Sequence, residues 1–393
     1  MATLNPGKFA HPEILGRMRR DLLLGWLEPA RDYLRGRGLA LPRVADAQPV
    51  PCEALARVLL EPTPEMPPDL LESLHVFHEL DHATAMDLLR RAAREQGLEL
   101  GEGPAATPLD VAMAAWLRDR QLVEEVHLRF ELNRPRSFRY YSALQQPPPP
   151  FKGPAPEQVA WLEGRLNRFY EAWKRGRGVR VFVYPQEGEW WFLVRHGAPC
   201  RREGVLQGDQ PGTVFFRPQC HDVVVYNPHR AELRLNCCAE RERRVLLRAF
   251  GRCLFGRADF FPATAKYTLA PLVQLGRAAL ACGDVPGIEQ VTLKAVEFHY
   301  RRAPWRRELH EADDIFEQIE MGKIRWPGTV EEITQARFEV RLRRGKRPRR
   351  LAIVPCNKAL YTRDADSHSL ERFVAARGFA RPAGSRDPGS QDS

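Results

Sequence analysis

Apolar side chains recur every three or four positions along the first third of the chain and alternate with polar ones through the middle, a pattern that predicts helices first and strands afterwards. From His11 to Leu34, Ile14, Met18, Leu22 and Trp26 mark one helix face, which Gly36 and Gly38 end. After a Pro- and Ala-rich connection, Glu53–Leu60 is a short helical pattern. Residues 67–97 are helical again, with a break near Thr84, where Thr84 and Asp87 have the spacing of a capping box. Thr107-Pro108-Leu109-Asp110 repeats the start signal and opens a helix that reaches the region of Phe130.

Five strands are predicted next: Val179–Tyr184, Glu189–Arg195, Thr213–Arg217, Asp222–Tyr226 and Glu232–Asn236. The helix ahead of them, Pro156–Arg175, carries Leu162, Leu166, Phe169 and Trp173 on one stripe. Ala239–Phe250 reads as a charged helix, Tyr267–Ala281 as an apolar one and Ile288–Tyr300 as a strand, with helices near Glu308–Met321 and Ser367–Arg377. The expected fold class is α+β: a helical N-terminal domain (1–145), a Pro-rich linker (146–155) containing Pro147–Pro150, a central domain of mainly antiparallel sheet with packed helices (156–285), a basic C-terminal α/β module with a wing-like hairpin (286–380) and a disordered tail (381–393).

Composition narrows the partners. With 60 Lys and Arg against 50 Asp and Glu the net charge is +10, which favours an anionic partner. The apolar run Leu22–Leu27, flanked by Asp21 and Glu28, is too short for a membrane span. Eight cysteines without regular spacing make no disulfide framework, and a reducing cytoplasm is the expected location. No cofactor is expected.

Several motifs carry candidate chemistry. Phe192-Leu-Val-Arg195-His196-Gly197, a strand ending in Arg-His-Gly, resembles the opening motif of the histidine phosphatase superfamily. The resemblance implies His196 as phosphoryl acceptor with Arg195 holding phosphate oxygens, Arg257 as a second phosphate-binding arginine and His299 as the second histidine. It covers about twenty residues, and the strand pattern at 213–226 stands where that family has a helix. His78-Glu79-Leu-Asp81-His82 satisfies H-E-x-x-H, in which His78 and His82 would share a helix face to bind zinc beside Glu79. Cys220-His221 and Cys237-Cys238 flank the turn Asn227-Pro-His-Arg230, but neighbours on a strand point to opposite faces, so no metal is expected there. Asp222, Glu232 and Arg234 on the same hairpin loosely resemble a nuclease core, with arginine where a lysine would stand.

The charge excess is local. Between Thr334 and Arg363 stand ten Lys or Arg residues and one acid, Glu339, giving ten less one, or +9. Phe338, Val340 and Leu342 alternate with Glu339, Arg341 and Arg343, Leu351–Val354 forms a second strand, and Gly345-Lys346-Arg347-Pro348 is the turn. Such a hairpin resembles the wing of a winged-helix domain. It predicts phosphate contacts from Arg341, Arg343, Arg344, Lys346, Arg347, Arg349 and Arg350, extended by Arg136 and Arg139 in the basic-aromatic stretch Arg134–Tyr141. The sequence therefore reads as a nucleic-acid-binding protein before an enzyme, a regulator or one component of a larger nucleic-acid-handling assembly, with DNA or RNA left open. Other protein subunits are the second class of partner, and a membrane is not expected. The alternatives are a phosphoryl-transfer enzyme using His196 and a structural subunit docking an acidic protein.

Overall fold

The computed structural model describes residues 10–100, 106–133, 137–143, 149–207, 210–237, 239–262, 266–300, 306–326, 333–343, 347–362 and 366–381. The chain packs as two compact units, residues 1–131 with 202–215, and residues 132–201 with 216–393.

The first unit is helical: α1 (Pro12–Arg17), α2 (Arg20–Leu27), α3 (Arg31–Gly36), α4 (Cys52–Leu60), α5 (Pro68–Leu80), α6 (Ala83–Glu95), α7 (Pro108–Arg118) and the start of α8 (Arg120–Asn133). Leu27, Leu34, Leu59, Phe77, Leu80, Leu89, Met113 and Val123 are among its buried core residues. The Trp26 indole N–H donates to Ser73 Oγ at 2.8 Å, satisfying a polar atom that burial would otherwise leave unpaired. Thr107 and Asp110 form the capping box that opens α7.

Two sequence expectations change here. The helix expected to run on to Phe130 breaks at Asp119, whose backbone is extended and whose carboxylate accepts from the Gln121 and Leu122 N–H groups, restarting the chain as α8. The cap of α6 is His82, whose Nδ1 accepts from the Ala85 N–H at 3.2 Å, and not Thr84.

The second unit is built on a ten-stranded antiparallel sheet. Its strands are β1 (Ser137–Ser142), β2 (Arg180–Gln186), β3 (Glu189–Gly197), β6 (Gln219–Asn227), β7 (Glu232–Asn236), β8 (Ile288–Tyr300), β9 (Arg306–Glu311), β10 (Ile333–Leu342), β11 (Arg349–Val354) and β12 (Lys358–Leu360), in the order β2-β3-β6-β7-β1-β12-β11-β10-β8-β9. Strands β4 (Arg201–Gln207) and β5 (Gln210–Phe216), most of whose residues belong to the first unit, form a separate two-stranded sheet. The expected boundary at 285/286 is crossed by the large sheet, because β1 pairs with β7 on one side and β12 on the other. The basic hairpin β10–β11 forms as the alternation predicts, and β8 and β12 pair with its outer edges, so its strands lie inside the sheet.

Side-chain alternation divides the sheet into two faces. On the first, α9 (Pro156–Ala172) and α10 (Glu240–Phe255) cover the β2–β7 half, burying Leu162, Leu166, Leu246 and Phe250 against Phe192, Val194, Val224 and Leu235. On the second, Phe338 packs near Phe379, and Phe379 near Phe373 of α13 (Ser367–Ala376). The apolar helix read over Tyr267–Ala281 is shorter, α11 (Ala270–Leu275) followed by a 3-10 turn (Gly276–Leu280), and the stretch read as a helix over Glu308–Met321 is instead edge strand β9 followed by α12 (Ile315–Glu320). Asp314 sets the start of that helix, its carboxylate accepting from the Phe316 N–H.

Candidate nucleic-acid interface

The positions of α9 and α10 follow from their apolar faces and from one polar clasp: Gln158 Nε2 donates to the Cys253 carbonyl at 2.6 Å, and Cys253 Sγ lies 3.2 Å from the Gln158 carbonyl. With its apolar side down, α10 turns Arg241, Arg244, Arg248 and Arg252 outward. Their spacing of three, four and four residues places them on one helix face, and all four are exposed. Arg165 of α9 faces them. Together with Trp161 these five arginines line a groove of about 660 Å³. Arg241 sits over the Trp173 ring with its guanidinium 3.7 Å from the centroid. Trp161 and Trp173 are 39% and 48% exposed, large indole surfaces left open beside fixed positive charge.

Arg244 pairs with Glu240 at 3.5 Å, the one ion pair that neutralises any of these five arginines among the described residues. On the other flank of α9, Arg168, Arg177, Arg180 and Arg195 line a second hollow of about 490 Å³. Glu171 and Glu163 pair with Arg177 and Arg180 there, so this side is the more neutralised.

The strand register carries the basic surface onward from α10. Arg139 pairs across the sheet with Lys358, Val354 with Lys358, and Glu339 with Arg350. Following alternation from these pairs, Arg139, Lys358, Arg350, Arg341 and Arg337 stand on the same face of the sheet as α9 and α10. Burial together with the charges of Arg139 and Arg243 lowers the Lys358 pKa. The buried Arg243, which pairs with Glu240, thus connects α10 to this strip.

The hairpin arginines do not act as one set. Arg341, Arg347 and Arg350 are exposed, whereas Arg343 donates to the Ile288 carbonyl at 3.2 Å and Arg349 pairs with Asp366 at 2.7 Å on the opposite face. Arg344, Lys346 and Arg136 lie outside the described residues, as does part of the linker around Pro147. Arg139 donates to Asn357 Oδ1 at 3.1 Å.

The structure separates the residues that the phosphatase resemblance would gather. His196 is 3% exposed. It lies under Tyr170 with its Nε2 3.2 Å from Asp222 Oδ2 and its Nδ1 3.1 Å from the Gly197 carbonyl. Arg195, its strand neighbour, projects from the other face and sits over Phe182. From Glu242, the α10 residue whose charge acts on His196, the helix runs on for ~20 Å of rise to Phe255; Arg257 lies past its left-handed cap Gly256 and pairs with Asp259 in solvent. Gly197 is explained by packing: a Cβ there would collide with the Arg175 carbonyl and the Arg217 side chain.

The other motifs also part. α5 ends at Leu80, so His78 and His82 do not share a helix and the zinc-peptidase arrangement does not form. Asp222 faces α9 while Glu232 and Arg234 face the other way, held by Lys266 and Glu189 respectively, so no nuclease-like cluster assembles. Neither a scan against protein-family models nor a search of curated proteins finds a match to the chain.

Proposed function

We propose that this is a nucleic-acid-binding protein that holds single-stranded nucleic acid along the face formed by α9, α10 and the outer surface of β12, β11 and β10. The observation that carries the reading is the groove in which five arginines and an exposed indole converge. A polyanion satisfies guanidinium groups that have few acidic partners, and bases stack on indole faces without sequence preference. The hairpin contributes through Arg341 and Arg350 at the far end of the same face and through the exposed Arg347 before β11. Such contacts fix a strand by its backbone, as suits a regulator or a component of a nucleic-acid-handling assembly. A cytoplasmic location accompanies this reading. No helix among those residues is long and apolar enough to cross a membrane.

The test is fluorescence anisotropy with labelled mixed-sequence single strands and duplexes over a salt series. Single strands bind more tightly, and log K falls with log salt. The triple variant Arg241→Gln/Arg244→Gln/Arg248→Gln reduces the magnitude of that slope by about 2, at ~0.7 for each phosphate no longer neutralised. An unchanged slope removes the groove from the proposal, and no binding at low salt removes nucleic acid altogether.

A further inference from the structure

Helices α5 and α8 are tied twice. Arg120 lies 2.9 Å from Asp69 near their first turns, and His127 Nε2 lies 3.2 Å from Glu79 Oε2 further along both. The order of these two ties means that the helices run side by side in the same sense. One turn before Glu79, His75 shares its face of α5, since residues four apart on a helix are neighbours. The His75 and His127 rings meet edge to face with centroids 5.8 Å apart. A nitrogen from each imidazole and a carboxylate oxygen of Glu79 all lie within 4.8 Å of one another.

We infer that His75, Glu79 and His127 form a binding site for a divalent transition-metal ion of the zinc type. Two imidazoles and a carboxylate are a donor set suited to zinc, whereas magnesium and calcium prefer oxygen alone. In a tetrahedral site with metal–ligand distances of ~2.0–2.2 Å, the ligand atoms stand about 3.3–3.6 Å apart. Rotamer shifts of about an ångström therefore close the observed triangle around an ion, with no movement of either helix axis. Burial supports the assignment as well. The Glu79 and His127 side chains are 9% and 14% exposed, which removes much of the water that would compete for the ion. All three ligands come from helical backbone whose apolar sides are locked in the core by Leu74, Phe77, Val123 and Val126, so the donors are positioned before the ion arrives. An ion bound here clips α5 to α8 at the end opposite the Arg120–Asp69 pair.

The site is independent of the nucleic-acid reading and is tested separately. The full chain, stripped with chelator, is titrated with zinc chloride in competition with a chromophoric chelator, and its melting temperature is followed with and without zinc. One equivalent binds tightly and raises Tm. His75→Ala and His127→Ala each weaken binding tenfold or more and abolish the zinc-dependent rise. His82→Asn, which keeps a capping side chain on α6, leaves both unchanged. Cobalt supplies a second readout, because a nitrogen and oxygen ligand set gives visible bands without the near-ultraviolet thiolate charge transfer that cysteine ligation produces. Circular dichroism confirms that the variants remain helical. Tight binding that survives both histidine variants, a thiolate band, or no binding by the folded wild type overturns the assignment.

Discussion

Tyr170 lies flat against His196, the rings 4.2 Å apart and 8° from parallel, and the Tyr170 hydroxyl and the His196 Nε2 meet at the same oxygen of Asp222, each at 3.2 Å. The hydroxyl donates to that carboxylate. Asp222, 3.2 Å from Nε2, and the Gly197 carbonyl, 3.1 Å from Nδ1, both favour the protonated ring over the neutral one. Burial alone lowers the His196 pKa, but the hydrogen bond and charge of Asp222, the Gly197 carbonyl and the charge of Glu242 outweigh it, and the pKa is raised. Arg175, itself only partly buried, pairs with the buried Glu242 at the edge of this set.

Removing one member leaves an uncompensated charge in the interior. His196→Ala is expected to lower stability by about 3–5 kcal/mol, measured by urea unfolding at neutral pH. If His196 instead were a surface nucleophile, the same variant would leave stability within about 0.5 kcal/mol of wild type.

The sign of the pH dependence follows. A histidine whose folded pKa is raised stabilises fully below its ordinary value of ~6.5, and that contribution disappears as pH climbs through the raised folded value. The difference in Tm between wild type and His196→Ala is therefore largest on the acid side of that window and shrinks above it. Scanning calorimetry across the neutral and mildly alkaline range checks this, and a difference that grows with pH contradicts the imidazolium.

Trp161 and Trp173 report on stacking. Each alanine variant is expected to weaken single-strand binding by about 1–3 kcal/mol with little effect on the salt slope, because an indole releases no counterions. Arginine variants in the groove show the opposite balance, and anisotropy at two salt concentrations separates the two behaviours.

Lys358 is held against its own charge by burial and by Arg139 and Arg243. Its charged form is disfavoured in the folded state, so Lys358→Met raises Tm at neutral pH while weakening nucleic-acid binding. A variant that loses both stability and affinity would show that the ammonium is needed for the fold itself.

Within the hairpin, Arg341→Gln/Arg350→Gln flattens the salt slope of binding, since both residues stand on the proposed contact face. Arg349→Gln leaves the slope alone and costs at most about 1 kcal/mol of stability, through its half-exposed pair with Asp366. Equal effects of the two changes would place the strand elsewhere.

Legibility in the sequence follows the range of the contacts that decide each feature. Glu232–Asn236 and Ile288–Tyr300 have the bounds that alternation gives, because apolar and polar residue types alternate through Leu233 and Leu235 in the first and Val291, Leu293 and Ala295 in the second. Ser137–Ser142 gives no such sign and reads as a basic-aromatic stretch; it is a strand because partners far along the chain make it one. The stripe Arg241, Arg244, Arg248 and Arg252 is visible as a charged helix, but the groove depends on Arg165 and Trp161 arriving from a different helix. Of the pattern at His78–His82, Glu79 alone belongs to the proposed ligand set. Only the position of α8 shows that His127 completes a set with His75 and Glu79.

The place of β1 also governs the order in which the protein can be completed. Arg139 and Asn357, hydrogen-bonded to each other, are 218 positions apart. During synthesis β1 gains its first neighbour once residues 232–236 emerge, but its second neighbour is made more than a hundred residues later. At ~5–20 residues per second that leaves one edge of a nascent sheet uncapped for roughly 6–25 s. For that interval the half-built sheet presents an open row of backbone donors and acceptors, making ribosome-bound chains the stage most exposed to mispairing with one another.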